Sequence, residues 1–177
     1  MKILVINPNS TASMTAQIGD SAMRCAFPGT EIEAVNPRGT PASIEGHADE
    51  ALSVPAMLDL IRAGEARGVD AYVIACFDDT GLDAARELTS GPVLGIGEAA
   101  MHAASMLSVR YSILTSLPRS IHIIERNMHS YGLQRRCANI HAADIPVLEL
   151  ERDPAHYLRL RALGEQILRD DRSECLV

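Results

Sequence analysis

Apolar residues gather in short unbroken runs along this chain, and the stretches between them carry helical spacing. Ile3–Ile6 reads as a buried strand, followed by the polar loop Asn7–Thr11 and a helix through about Cys25. Glu31–Val35 alternates as a second strand, and Pro37 to Pro41 with Gly39 is loop. From about Glu50 to Arg67 the apolar positions Ala51, Leu52, Met57, Leu58 and Ile61 suit an amphipathic helix, which Gly68 ends as a left-handed cap. Ala71–Ala75 is the next buried strand, Leu82–Leu88 a helix, and Gly91-Pro92 breaks the chain before a short strand at Val93–Ile96. Ala99–Leu107 is helical, Tyr111–Thr115 a strand, Ser116–Arg119 a loop and Ile121–Tyr131 a helix. Residues 138–142 and 146–150 read as short strands or turns, His156–Leu168 as a long helix, and Glu174–Val177 as the start of a strand.

Strands separated by helical patterns argue for an α/β protein with parallel sheets and helices on both faces. In such open sheets ligands sit beyond the carboxyl ends of the strands. The run Lys2–Ile6, its NPNST loop and the next helix resemble Arg110–Leu114, TSLPRS and the helix after it. This pseudo-repeat predicts two units, residues 1–96 and 97–177. Projecting the spacing from Asn7 to Cys76 onto Thr115 sets the matching strand end near residue ~184. The second half is therefore expected to be incomplete, with its C-terminal part missing.

Composition narrows the class. Hydrophobic residues make up 47% of the 177 positions, but only 3% are aromatic and Trp is absent, so the core is built from Ala, Val, Ile, Leu and Met. The net charge of −7 argues against nucleic-acid or anionic-membrane partners, which need a basic face. The apolar run Ile3–Ile6 is too short for a secretory signal, and no window approaches a membrane span. A cytoplasmic protein is expected. Cys25, Cys76, Cys137 and Cys175 lie far apart, with no Cys-x-x-Cys pair and no zinc-like spacing, which favours free thiols and no metal. Cys25 and Cys137 read as small buried hydrophobes.

Cys76 stands apart, because it follows the apolar run Ala71–Ala75 and belongs at the carboxyl edge of a sheet. Thr80-Gly81-Leu82-Asp83 has the form of a capping box, which would set Cys76 just before a helix N-terminus. A helix N-terminus lowers a thiol pKa, whereas Asp78 and Asp79 nearby oppose ionisation. A thiol balanced between these effects exchanges protons near neutral pH; the other reading is a buried structural cysteine.

Asn7-Pro8-Asn9-Ser10-Thr11 offers short hydrogen-bonding groups at a helix start, suited either to holding a carboxylate, imide or phosphate or to plain capping. Thr115–Ser120 allows the same two readings, with Arg119 as a counter-ion. Pro41–His47, which includes Ile44, is loop-like and could cover a site. His102, His122, His129, His141 and His156 show no Asp or Cys partner in sequence, and most of them read as solvated. Gly95-Ile96-Gly97-Glu98 is a weak phosphate signal without the long dinucleotide fingerprint.

INPNST, PASIEGHADEA and VIACFDDTGLDAARE, with GEAAMHAASML and LTSLPRS, together resemble the hydantoin racemase branch of the aspartate/glutamate racemase superfamily. The resemblance spans nearly the whole chain. It implies two similar flavodoxin-like domains, each a doubly wound parallel sheet, with the active site between them and no cofactor. It also implies racemisation of a 5-substituted hydantoin, a small-molecule substrate whose C5 proton one cysteine thiolate removes while a second thiol protonates the opposite face. Cys76 matches the first of these cysteines. The second belongs to a Gly-Cys turn after the strand that begins here as ECLV, so it is expected just beyond Val177, and Cys175 is not its match. Asn9, Ser10, Thr115 and Ser116 are then expected to meet the enolate-like charge. Ile44, Phe77, Asp78, Asp79 and Arg119 complete the expected substrate-binding set, in a homo-oligomer.

The residues leave other functions open. Allantoin racemase shares the fold and thiol pair, although Phe77 and an apolar pocket favour hydrophobic 5-substituents. One-cysteine decarboxylation or isomerisation is a second class. A non-catalytic ligand-binding module is a third.

Overall fold

Lys2–Ile6 forms β1, the strand around which the first half of the chain is arranged. It pairs in parallel with β2 (Glu31–Val35) on one side and β3 (Ala71–Ile74) on the other, and β4 (Val93–Gly95) adds to β3. The order is β2-β1-β3-β4. The connections are α1 (Ala12–Cys25), which packs on β2, α2 (His47–Ala66), which packs on β1, and α3 (Leu82–Leu88), which packs on α2. Leu4, Ile6 and Ile74 are fully buried with Met57 and Ile61 of α2, and so is Tyr72. Tyr72 corrects the expectation of a core of Ala, Val, Ile, Leu and Met alone: its ring is enclosed while its hydroxyl donates to Glu65 at 2.7 Å. Each such side chain contributes about 1.5–3 kcal/mol by leaving water. This sheet is therefore a rigid support for the loops at its carboxyl edge. The chain also reverses its lateral direction between β1 and β3, the switch point at which such sheets open a crevice.

The structure, a computed structural model, describes residues 1–150 and 152–177, which divide into two units, Met1–Gly97 and Glu98–Val177. The boundary falls in the first turn of α4 (Ile96–Leu107), and the helix begins where the sequence pattern suggested a strand through Ile96. In the second unit β5 (Tyr111–Thr115) is central between β6 (Cys137–Ala142) and β7 (Cys175–Leu176), again in parallel. Here α5 (Ile121–Ser130) and α6 (Pro154–Asp170) supply helices, and single 3-10 turns form at Pro118–Ser120 and Val147–Glu149. Residues 138–142 are thus strand, while 146–150 are a turn.

The two units share a local plan: the first strand of each lies between its two successors. Tyr111 is set against Cys175 as Ile3 is set against Ala71. Cys175 thus occupies the position of Ala71, at a strand start, and not the position of Cys76.

Three more expectations from sequence are corrected. Cys25 is exposed and not buried, because it lies six residues beyond Gly19, about a third of a turn around the axis from that buried position of α1. Cys137 opens the edge strand β6 and is only partly buried. His141 is not a solvated histidine: its Nε2 lies 2.8 Å from Asp171 Oδ2. That carboxylate also accepts from Ser112 Oγ at 2.7 Å, tying the end of α6 to β5 and β6. Burial alone would raise the Asp171 pKa, but the bonds from Ser112 and His141 hold it below the usual carboxylate value. Among the described residues no helix is long and apolar enough to cross a membrane.

Candidate active site

β3 ends at Ile74, yet Ala75 still donates its N–H to Ile6 O at 2.8 Å, so the sheet holds the backbone up to the residue before Cys76. The chain then turns. Asp79 donates its N–H to Cys76 O at 3.0 Å, and Leu82 donates to Asp79 O at 3.1 Å. Cys76 is partly buried against the core formed by Leu4, Ile6 and Ile74, while Asp78 and Asp79 are buried. Burial, followed by the Asp78 carboxylate, pushes the Cys76 thiol up to about 11. The near-neutral thiol expected from sequence is thus corrected: at neutral pH Cys76 rests protonated. The seven-residue α3 does not offset burial in so enclosed a position.

The capping box is corrected as well. The N-cap of α3 is Gly81, in the left-handed region at φ 67°, and no side chain caps this end. Thr80, fully buried, instead donates its hydroxyl to Cys76 Sγ at 3.3 Å. Asp83, the other half of the expected box, has a 99% exposed side chain and lies 3.9 Å from Arg86.

The Asp79 carboxylate accepts from Gly97 N–H at 2.9 Å. A Cβ on Gly95 would lie 2.1 Å from Asp79 Oδ1, and one on Gly97 would lie 2.2 Å from Phe77 O. The Gly-Ile-Gly stretch that sequence reads as a weak phosphate signal is a close-packing surface for the Cys76 loop. Its partner residues lie eighteen positions apart in the chain, which no local pattern reveals.

The loop after β1 emerges beside this turn, from the neighbouring strand and the same sheet edge. Asn7 Nδ2 donates to Asn9 Oδ1 at 2.9 Å and to Thr15 Oγ1 at 3.1 Å, and Thr11 N–H donates to Asn9 Oδ1 at 2.9 Å. Ser10 donates its N–H to Pro41 O at 3.0 Å and its Oγ to Thr40 O at 2.9 Å, while Thr11 Oγ1 donates to Ala42 O at 2.6 Å. The INPNST loop and the start of the Pro41–His47 segment are therefore stitched together, with Ile44 buried in that segment. Asn7, absent from the expected set, organises the loop from a nearly inaccessible position.

In the second unit, Thr115 O accepts from Ala143 N–H at 2.9 Å and Ser116 O from Ile145 N–H at 3.0 Å, which fixes the loop backbone. Arg119 sits exposed on the 3-10 turn that follows. Among the described residues no group of three or more His, Cys, Asp or Glu comes together in a way that could hold a metal ion. A cavity of about 360 Å³ opens between α1 and the edge strand β2, lined by Met23, Ile32 and Ala34 among others, but no residue of the Cys76 turn lines it.

The Asp/Glu/Hydantoin racemase family model matches residues 3–177. The hydantoin racemase of Rhizobium meliloti is 54% identical over 178 aligned positions, which take in 100% of this chain and 74% of that protein. The hydantoin racemase of Pseudomonas sp. (strain NS671) is 47% identical, over 100% of this chain and 72% of that protein. Among solved structures, the allantoin racemase from Klebsiella pneumoniae has a TM-score of 0.97 at 49% identity, covering 99% of this chain and 72% of that one. A match over nearly every residue, with relatives this similar, is a family assignment: the chain belongs to the Asp/Glu/Hydantoin racemase family.

Proposed function

We propose that this protein racemises 5-substituted hydantoins without a cofactor, with Cys76 as one of two acid/base groups acting at C5. The observation that carries the reading is the thiol itself. It sits at the carboxyl edge of β3, beside the switch point of a doubly wound sheet, and a buried hydroxyl touches its sulfur. The C5–H bond lies next to a ring carbonyl, so the electron pair left by its proton moves into an enolate. A thiolate accepts that proton on one face, and a thiol gives a proton back on the other. By microscopic reversibility Cys76 is base for one enantiomer and acid for its mirror image. Its protonated resting state suits the acid role directly, and the base role requires prior loss of its own proton.

The enolate oxygen needs a fixed donor, a role in which we place the Asn9 side-chain amide, because Ser10 already spends its N–H on Pro41 O and its hydroxyl on Thr40 O. Each unit follows the flavodoxin-like plan. Cys175 lies at a strand start and does not serve as the second acid/base group. Ile44 and Phe77 give the first unit an apolar contribution to the pocket, which favours alkyl and aryl 5-substituents.

The similarity to an allantoin racemase supports a second reading, in which the preferred substituent is a ureido group. The same C5 chemistry applies to both. Polarimetry with a 5-alkylhydantoin, a 5-benzylhydantoin and allantoin separates them: we expect the highest kcat/KM with the apolar substituents. A higher value with allantoin establishes the second reading, and no racemisation of any of the three sinks both.

A further inference from the structure

Thr80 falls four residues after Cys76, and the structure removes it from the helix-capping role its sequence context suggests. Its side chain is fully buried, and the hydroxyl donates to Cys76 Sγ at 3.3 Å. The backbone between the two residues is closed by the bond from Asp79 N–H to Cys76 O. It is braced from outside by the bond from Gly97 N–H to the Asp79 carboxylate, across two glycines whose missing Cβ atoms let the turn approach. Thr80 is thus held by a surface that leaves its hydroxyl facing the sulfur.

We propose that Thr80 is a positioning residue for the reacting thiol: its hydroxyl fixes Sγ in place and donates to the sulfur when the proton has left. This rests on the reading of Cys76 as an acid/base group. Burial and the carboxylates of Asp78 and Asp79 all disfavour the thiolate, so the ionised sulfur needs a donor inside the fold. The Thr80 hydroxyl opposes them, together with the backbone N–H of Asp78. A hydrogen bond to an ionised acceptor is stronger than one to a neutral acceptor, so this contact tightens as Cys76 loses its proton. It assists proton abstraction without touching the substrate.

The test compares wild type, Thr80→Val and Thr80→Ser in the full-length protein. The first measurement is the pH dependence of iodoacetamide alkylation, read by mass spectrometry on the peptide containing Cys76. Thr80→Val keeps the shape and removes the donor. Its alkylation midpoint is expected to rise by about one unit, making alkylation about tenfold slower at a fixed pH below the midpoint. Thr80→Ser restores the wild-type midpoint. In the racemase assay kcat/KM falls equally for both enantiomers, because they have equal free energies. A folded Thr80→Val protein with an unchanged midpoint overturns the proposal. If Val disturbs folding, Thr80→Ala removes the hydroxyl without added bulk, and the same two outcomes decide. Because alkylation does not depend on turnover, a wild-type protein that alkylates as expected yet exchanges no C5 proton refutes the racemase reading alone.

Discussion

At the residue scale, the position of Cys76 was legible, because the apolar run Ala71–Ala75 predicts a strand and the structure sets the thiol just past the carboxyl end of β3. Its electrostatics were not legible. Sequence shows two aspartates and a helix start nearby, but the balance turns on burial, which pushes the thiol up to about 11. In the proposed mechanism the cycle begins once the site has lost one proton, and the raised pKa of Cys76 keeps that form scarce at neutral pH. We therefore expect kcat/KM for either enantiomer to climb with pH from neutral into the alkaline range. A pH profile that is flat there would show that Cys76 does not limit the ionised form. Thr80 was misread for a related reason: the Ser/Thr-x-x-acid pattern records residue types, whereas the hydroxyl takes whichever acceptor the fold brings nearest.

At the element scale, most strands and helices could be read from periodicity. The misreadings sit at junctions, where tertiary contacts decide. Ile96 begins a helix because Gly97 N–H is held by Asp79, a partner eighteen residues earlier. Replacing Gly97 with Ala forces a Cβ against Phe77 O, a backbone atom, so the turn itself must move. Urea unfolding should show a loss of about 1–3 kcal/mol, typical of overpacking, with reduced racemase activity from the displaced thiol. A Gly97→Ala protein with unchanged stability and activity would mean that the close approach is not needed.

The His141–Asp171–Ser112 cluster was equally hidden, since its partners lie thirty and fifty-nine residues apart. Asp171 has a lowered pKa in the folded state, so its bonds stabilise the protein above the usual carboxylate range and are lost as pH falls through it. Asp171→Asn should cost about 1.5–3 kcal/mol at neutral pH and reduce the loss of stability on acidification, as measured by urea midpoints. An acid dependence identical to wild type would remove this group from the account.

At the scale of the whole molecule, the repeated strand plan could be read from the sequence, because each half sends a buried strand into a Ser/Thr- and Pro-containing loop before a helix. The strand register sharpens that comparison by setting Cys175 level with Ala71, which spacing alone could not do. Family membership accords with the motifs after β1 and β3, the segments that gather at one edge of the first sheet.

The account stands on proton transfer at C5 through Cys76. Its most direct test is the appearance of deuterium at C5 when separate D- and L-hydantoins are incubated in D2O with the full-length wild-type protein and with Cys76→Ser. Wild type should form the opposite enantiomer carrying solvent deuterium, and Cys76→Ser should lose racemisation by about 10²–10⁴-fold, the usual weight of one acid/base group. A wild-type protein that neither incorporates deuterium nor changes optical rotation would contradict the function, and a Cys76→Ser protein that still exchanges both enantiomers would contradict the role of Cys76.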